Sequence, residues 1–304
     1  YTEIPEGFRN KNNEGKCWLL NKALYGLKQA PLEWYNTFTD ALKNLGFIQV
    51  DSEQCMYILH RGSEKVIMGV FVDDIAVASN SPRLTQWVKD QLKAQFIVHD
   101  KGNLDYFLGM DIIRNRDART IFISQKKYAY GTLTTFDLQD CNPKLEPLPA
   151  GCKFDGFGEA NSKPFTGPYR EKIGKLLYLS VCTRPDIACA VAKLAQFVNN
   201  PLVGHNKLVN HLMGYIKGTY EAGLLLGGDI NPIECYCDAS HVSEGDLKSQ
   251  SGYVIFLGRF GSPVVWSSKK QAMVTKSTME SELNALYSAI PNCMWIVDLL
   301  KELA

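Results

Sequence analysis

The sequence predicts an α+β chain organised in more than one domain. Three observations carry that prediction: a length of 304 residues, short β-rich apolar runs alternating with amphipathic helical stretches, and a Pro/Gly-rich segment at 141–168 that interrupts both. The composition is that of a folded protein. Hydrophobic residues make up 45% and charged residues 21%, enough apolar surface to offset chain entropy. Thirty-three Lys+Arg against 32 Asp+Glu give a net charge of +1, so any nucleic-acid contact must rest on a local patch. No stretch reaches the roughly 18–20 consecutive apolar residues of a membrane span, and no signal peptide is visible after Tyr1. Nine cysteines without a CxxC pair predict reduced thiols in an intracellular protein, no zinc site, and small apolar side chains that are mostly buried.

The elements follow in order. Leu32, Tyr35, Phe38, Leu42 and Leu45 recur at helical spacing from Pro31, and Gly46 stands where a C-cap belongs. Residues 47–60 read as extended. Segments 66–70 and 75–78 are short strands flanking Asp73-Asp74, which predicts a hairpin. Ser81 is a helix N-cap and Pro82 a first helical residue, opening an amphipathic helix marked by Leu84, Trp87, Val88, Leu92 and Phe96. Residues 104–113 and 120–124 read as paired strands around a polar turn at 114–117, and 125–138 as a helix. After the 141–168 boundary, helical periodicity returns at 169–180, 185–198 and 205–217, and Gly218 and Gly223 close that block. A second boundary falls near Gly227-Gly228. Three strands (233–238, 251–257, 263–267) and a helix from Thr278 to about Leu303 complete the chain.

Two sets of carboxylates carry chemistry. Adjacent Asp73 and Asp74, beside apolar strands, repel each other in a partly desolvated place, and a divalent cation removes that cost. The plain alternative is that Asp is a good turn residue. Asp238 ends the first strand of the last segment, and Glu282 lies near the start of the last helix. A strand-end Asp facing a helix Glu is again a divalent-ion arrangement. A two-residue step turns a helical side chain away, so Glu280 and Glu282 cannot both face one site. The alternative for either is an acidic residue favoured by the helix N-terminus. Lys126-Lys127, Arg114, Arg116 and Arg119, and Lys269-Lys270 are local basic clusters, either solvated surface or phosphate contacts.

Several of these segments together resemble one family. Residues 24–31, Leu-Tyr-Gly-Leu-Lys-Gln-Ala-Pro, with Trp34-Tyr35 after them, resemble the signature of copia-type retrotransposon reverse transcriptases, and Phe71-Val72-Asp73-Asp74 matches the aromatic-x-Asp-Asp motif. Phe107-Leu108-Gly109-Met110-Asp111-Ile112 resembles the segment that follows it, and Tyr178-Leu179 with Thr183-Arg184-Pro185-Asp186 the downstream connecting region. Residues 237–240, 249–253, 266–271 and 277–286 resemble the attached ribonuclease H domain.

The resemblance implies a partial right-hand polymerase palm and thumb over 1–150, a linker and helical connection over 151–230, and a truncated ribonuclease H-like α/β domain over 231–304. By resemblance, Asp73 and Asp74 are catalytic metal ligands of the palm. Tyr25, Gly26 and Lys28 lie near the incoming nucleotide and template, Gly109 and Met110 contact the primer, and Asp238 and Glu282 are metal ligands of the nuclease. The implied activity is RNA-directed DNA synthesis with Mg²⁺, or Mn²⁺ in its place, on an RNA template, a DNA primer and dNTPs, followed by degradation of the RNA strand of the RNA–DNA hybrid. It further implies a setting in cytoplasmic virus-like particles or the nucleus, association with other polyprotein products or a second copy, and no membrane. The family's third palm Asp lies upstream of Pro5–Phe8, and further nuclease carboxylates lie beyond the first helix. Both sites are therefore expected to be incomplete here and the isolated chain inactive, its free apolar sheet edges making it unstable or partner-seeking. The alternative reading is a non-catalytic nucleic-acid-binding or scaffolding protein derived from such an element.

Overall fold

Two apolar cores, each built from the expected helical and strand periodicities, organise the chain into two compact units. One comprises residues 1–100 with 299–304, the other residues 101–298. The computed structural model describes residues 1–155, 157–228, 230–240, 248–258 and 261–304.

The first unit opens with a two-stranded ribbon, β1 (Thr2–Glu3) paired with β2 (Cys17–Trp18). Helix α1 (Ala30–Asn44) begins with Pro31 in its first turn. It ends in a Schellman cap: Gly46, at φ 93°, donates to Lys43 O at 2.9 Å, and Phe47 donates to Leu42 O at 3.0 Å. Strands β3 (Ile48–Gln49), β4 (Met56–Arg61), β5 (Glu64–Phe71) and β6 (Asp74–Ser79) form an antiparallel sheet in chain order. Helix α2 (Pro82–Gln95) starts as predicted, with the Ser81 hydroxyl accepting from Leu84 N at 3.2 Å. Alternate sheet residues Tyr57, Leu59, Val66 and Met68 meet Phe38 and Leu42 of α1 and Leu84, Val88 and Leu92 of α2, so both helices cover one face. The chain end is held in this unit. Glu302 accepts from Asp51 N at 2.6 Å and Ser52 N at 3.0 Å, and Lys65 donates to Leu303 O at 2.6 Å.

The second unit departs from expectation in three places. The single strand expected at 104–113 is broken into β7 (Tyr106–Phe107) and β8 (Met110–Asn115), because Leu108 and Gly109 turn the chain at φ 47° and 76°. The polar turn consequently shifts to 116–119, between β8 and β9 (Thr120–Ser124). A further strand, β10 (Gly223–Gly227), read from sequence only as the end of a helical block, pairs with β9. Packing groups residues 101–298 in one unit: residues 223–227 complete the sheet of 106–124, and the 141–168 segment runs inside it.

Helices α3 (Lys126–Thr135), α4 (Tyr169–Cys182), α5 (Ala188–Ala195) and α6 (Val203–Thr219) share the second core, with Leu133, Leu176, Val191, Leu194, Leu212 and Met213 fully buried. Between α4 and α5, Arg184 is 98% buried. It pairs with Asp186 at 2.7 Å and donates to Thr219 O at 2.9 Å, which pins the end of α4 to the end of α6. Strands β11 (Ile233–Ser240), β12 (Gln250–Leu257) and β13 (Pro263–Lys270) form an antiparallel sheet with β11 at its edge, two residues longer than predicted. Trp266 of β13 donates to Ser180 O on the α4 side at 2.7 Å. Tyr253 of β12 accepts from Asn292 of α7 (Thr278–Leu303) on the opposite face at 2.9 Å.

The cysteine expectation fails. All nine thiols are free, but none is buried; Cys17, Cys55, Cys189 and Cys235 are exposed. Cys235 and Cys237 share a strand face as predicted, but β11 lies at the edge of its sheet, where Cys235 stays exposed and Cys237 half-buried. No helix among the described residues is long and apolar enough to cross a membrane.

Candidate active site

Asp73 and Asp74 stand where the β5–β6 register places them. Phe71 pairs with Asp74, leaving Val72-Asp73 as a two-residue hairpin loop. Val72 has φ 52° and Asp73 does not share that region, the φ pattern of a type II′ turn, whose first central position favours Gly. A β-branched residue there carries about 1–3 kcal/mol of backbone strain. The turn is held from outside: Trp34 of α1 donates its indole N–H to Val72 O at 2.9 Å, and its ring packs on Phe38 and Phe96 at 5.6 and 5.7 Å. Both aspartates are solvent-exposed, so water screens their repulsion, and the desolvation argument for a cation does not hold in this geometry. What remains is donor chemistry. Two adjacent exposed carboxylates are the hard oxygen ligands that Mg²⁺ takes.

Tyr25 joins them. Its hydroxyl donates to Asp73 Oδ2 at 3.0 Å across 48 residues of chain, and that hydrogen bond to the carboxylate, with the nearby negative charge, holds the phenol above its ordinary pKa. Gly26 follows at φ 91° in open space, and Lys28 is exposed. Gly109 and Met110 lie in the second unit, at the β7–β8 turn. Phe107 pairs with Met110, and positive φ at both Leu108 and Gly109 is the pattern of a type I′ turn. Leu108 in the left-handed region costs roughly 1–2 kcal/mol. Its carbonyl accepts from the Tyr178 hydroxyl of α4 at 2.7 Å.

Asp238 and Glu282 are brought to the same strand by a different route. Asp238 is exposed and lines a cavity of about 540 Å³ together with Tyr236, Trp266, Cys189 and Lys193. Glu282 reaches the β11 edge from α7, its Oε2 accepting from Ala239 N at 3.1 Å. Strand alternation puts Asp238 and Ala239 on opposite faces, so the two acids are linked through backbone. Glu280 is used locally: its carboxylate accepts from Lys276 N at 2.7 Å and its own N–H donates to Ser277 Oγ at 3.2 Å. The helix-terminus reading thus applies to Glu280 and not to Glu282. Among the described residues, no group of three or more His, Cys, Asp or Glu side chains is placed to hold a metal ion. Of the basic clusters, Lys126 pairs with Glu221, Lys127 with Asp111 at 3.3 Å, and Arg114, Arg116 and Arg119 are exposed.

The family model for reverse transcriptase (RNA-dependent DNA polymerase) matches residues 1–150. A Ty5-1 transposon protein of Saccharomyces cerevisiae is 33% identical over 275 residues, covering 89% of this chain and 87% of that protein. The chain belongs to the reverse transcriptase family of copia-type retrotransposon Pol polyproteins. Retrovirus-related Pol polyproteins from transposon RE1 of Arabidopsis thaliana and transposon TNT 1-94 of Nicotiana tabacum match the whole chain at 34% and 33% identity. This reverse transcriptase-family chain spans 20% and 23% of the length of those two polyproteins. The family-model match ends at Ala150, so Asp238 and Glu282 lie outside it, although the polyprotein matches run through both.

Two residues of this reverse transcriptase-family chain had no assigned role in the sequence. Trp34 and Tyr178 both sit in the segments that carry the family resemblance, but nothing in a linear pattern pairs Trp34 with Val72, 38 residues on, or Tyr178 with Leu108, 70 residues back.

Proposed function

We propose that the chain carries the polymerase and ribonuclease H segments of a copia-type polyprotein: RNA-directed DNA synthesis at Asp73 and Asp74, and cleavage of the RNA strand of a hybrid at Asp238 and Glu282. The observation that carries the reading is the exposed Asp73-Asp74 turn with the Tyr25 hydroxyl on Asp73. Asp73 and Asp74 would hold Mg²⁺ or Mn²⁺; Asp238, facing the cavity, and Glu282, already accepting from Ala239 N, are not brought together to share an ion in this geometry. The ion supplies Lewis-acid stabilisation of phosphoryl oxygens. The chain's own groups orient and bind. The Tyr25 hydroxyl fixes one carboxylate oxygen of Asp73 and presents an exposed ring beside it for a dNTP base or sugar. Lys28 offers a cation to phosphate, Gly26 leaves room for close backbone approach, and the Leu108–Met110 turn offers backbone to the DNA primer paired with its RNA template.

Two carboxylates converge at the polymerase turn among the described residues, so the 304-residue chain is expected to bind a primer–template without extending it. Fluorescence anisotropy with an RNA template–DNA primer duplex, paired with Mg²⁺ primer extension, tests both halves. Absence of duplex binding defeats the nucleic-acid reading, and robust extension defeats the claim of an incomplete site. A second reading, a non-catalytic nucleic-acid-binding or scaffolding protein, is favoured by a polymerase turn at which, among the described residues, no third carboxylate joins Asp73 and Asp74. It requires duplex affinity that neither Mg²⁺ nor Asp73→Asn alters.

A further inference from the structure

We infer that Tyr178 is the positioning residue that holds the Leu108–Gly109 turn in the shape presented to the primer strand. The inference rests on the reading of that turn as a primer contact and adds the group that sets its geometry. The β7–β8 loop is intrinsically poor. A two-residue turn of this φ pattern favours Asn-Gly, and here Leu108 occupies the first position at φ 47°. β7 is a two-residue edge strand, held to β8 by the pairs Tyr106–Asp111 and Phe107–Met110 and by Ile112 N donating to Asp105 O at 2.8 Å.

Tyr178 compensates in two ways. Its hydroxyl donates to Leu108 O at 2.7 Å, which fixes the peptide between Leu108 and Gly109. Its oxygen also lies so close to Gly109 that any Cβ there would collide with it, so the glycine is required by contact as well as by φ 76°. The phenol is itself rigid. Its ring meets Tyr128 of α3 edge-on at 4.9 Å, and α4 is buried along Ile173, Leu176 and Leu179. The end of α4 is pinned by the Arg184–Asp186 pair. The donor is therefore mounted on the helical core while the acceptor lies on a short hairpin, and the constraint runs from core to turn. The rest of the primer-facing backbone, Gly109 N–H and Met110, inherits its direction from that one peptide.

The test uses the 304-residue chain and an RNA template–DNA primer duplex carrying a 3′-terminal 4-thiothymidine, with the crosslink mapped by peptide mass spectrometry. Wild type is expected to crosslink within residues 106–111. Tyr178→Phe keeps the ring and loses the hydrogen bond, and is expected to lower that crosslink about fivefold with the far-UV circular-dichroism spectrum of the folded chain unchanged. Gly109→Ala is expected to lower it at least as much. The double variant Gly109→Ala/Tyr178→Phe is expected to recover part of the Gly109→Ala loss, because removing the hydroxyl makes room for Cβ. Equal crosslinking by wild type and Tyr178→Phe, additive behaviour of the pair, or a wild-type crosslink that maps elsewhere overturns this inference while leaving duplex binding intact. Wild type that binds no duplex overturns the inference together with the proposed function.

Discussion

The β5–β6 turn and the β7–β8 turn solve one problem in two separate units. Each is a two-residue hairpin loop with a bulky apolar residue in the left-handed region, Val72 at φ 52° and Leu108 at 47°. Each of those residues has its carbonyl held by an aromatic donor from a helix, Trp34 at 2.9 Å and Tyr178 at 2.7 Å. They differ in what they present. The first exposes two carboxylates, and a tyrosine hydroxyl orients one of them. The second exposes backbone, with Gly109 kept small by its brace. A strained turn held by a side chain from elsewhere thus appears twice as a way to aim groups that a relaxed turn would leave free.

The comparison breaks most visibly through the anchor that only the second turn's helix has. Asp186→Ala would leave the buried Arg184 guanidinium without its partner. The expected loss is about 2–3 kcal/mol, less than for a fully buried pair because Asp186 is about a third exposed, and is read by urea denaturation. Burial works against the Asp186 carboxylate, but Arg184 and the Tyr215 hydroxyl hold it below its ordinary pKa. This contribution is therefore present above the unfolded value near 3.8 and fades as pH falls through the folded one.

Next in size is ion binding at the first turn. Asp73→Asn with Asp74→Asn is expected to weaken Mn²⁺ binding by roughly tenfold or more in calorimetric titration, while the same exchange at Asp111 beside the second turn leaves it unchanged. Equal loss from both would deny the carboxylate turn its special chemistry.

Relief of strain sharpens the parallel. Val72→Gly is expected to stabilise the first unit by roughly 1 kcal/mol, strain released less the entropy glycine adds, and Leu108→Asn to stabilise the second by somewhat less. Trp34→Phe is expected to cost about 1 kcal/mol through the lost hydrogen bond. A melt in which neither glycine nor phenylalanine moves the midpoint would mean the turn is neither strained nor braced.

Acid is the mildest lever and acts on the second unit. His205 is buried, accepts from Leu202 N at 3.0 Å through Nδ1, and so donates from Nε2 to Phe154 O at 2.8 Å as the neutral ring. Burial lowers its pKa, so its stabilisation is present above the unfolded value near 6.5 and is lost as pH falls through the folded one. Melting from pH 7.5 to 5.5 should show the decline in wild type and little of it in His205→Gln.

Much of the scaffold was legible in residue order. Gly46 closing α1, Ser81 and Pro82 opening α2, the Asp-Asp hairpin and the limits of α7 follow from caps and periodicities that act within a few residues. Helical pitch keeps Glu280 and Glu282 from facing one site together, and in the fold one serves the helix start while the other reaches β11. The errors share a cause. The break at Leu108–Gly109, the pairing of β10 with β9 and the exposed cysteines all depend on which neighbours a segment meets. A lone glycine or a Leu-rich run does not name its neighbours.

Local chemistry therefore settled where helices start, where strands turn and which acids sit at the turns, because caps, φ preferences and side-chain alternation operate over one or two turns of chain. The fold settled which of those turns are held and what they can touch. Tyr25 on Asp73, Trp34 on Val72 and Tyr178 on Leu108 each join residues 38 to 70 positions apart. Such contacts exist only after the buried cores have fixed the segments that carry the donors and the turns that carry the acceptors.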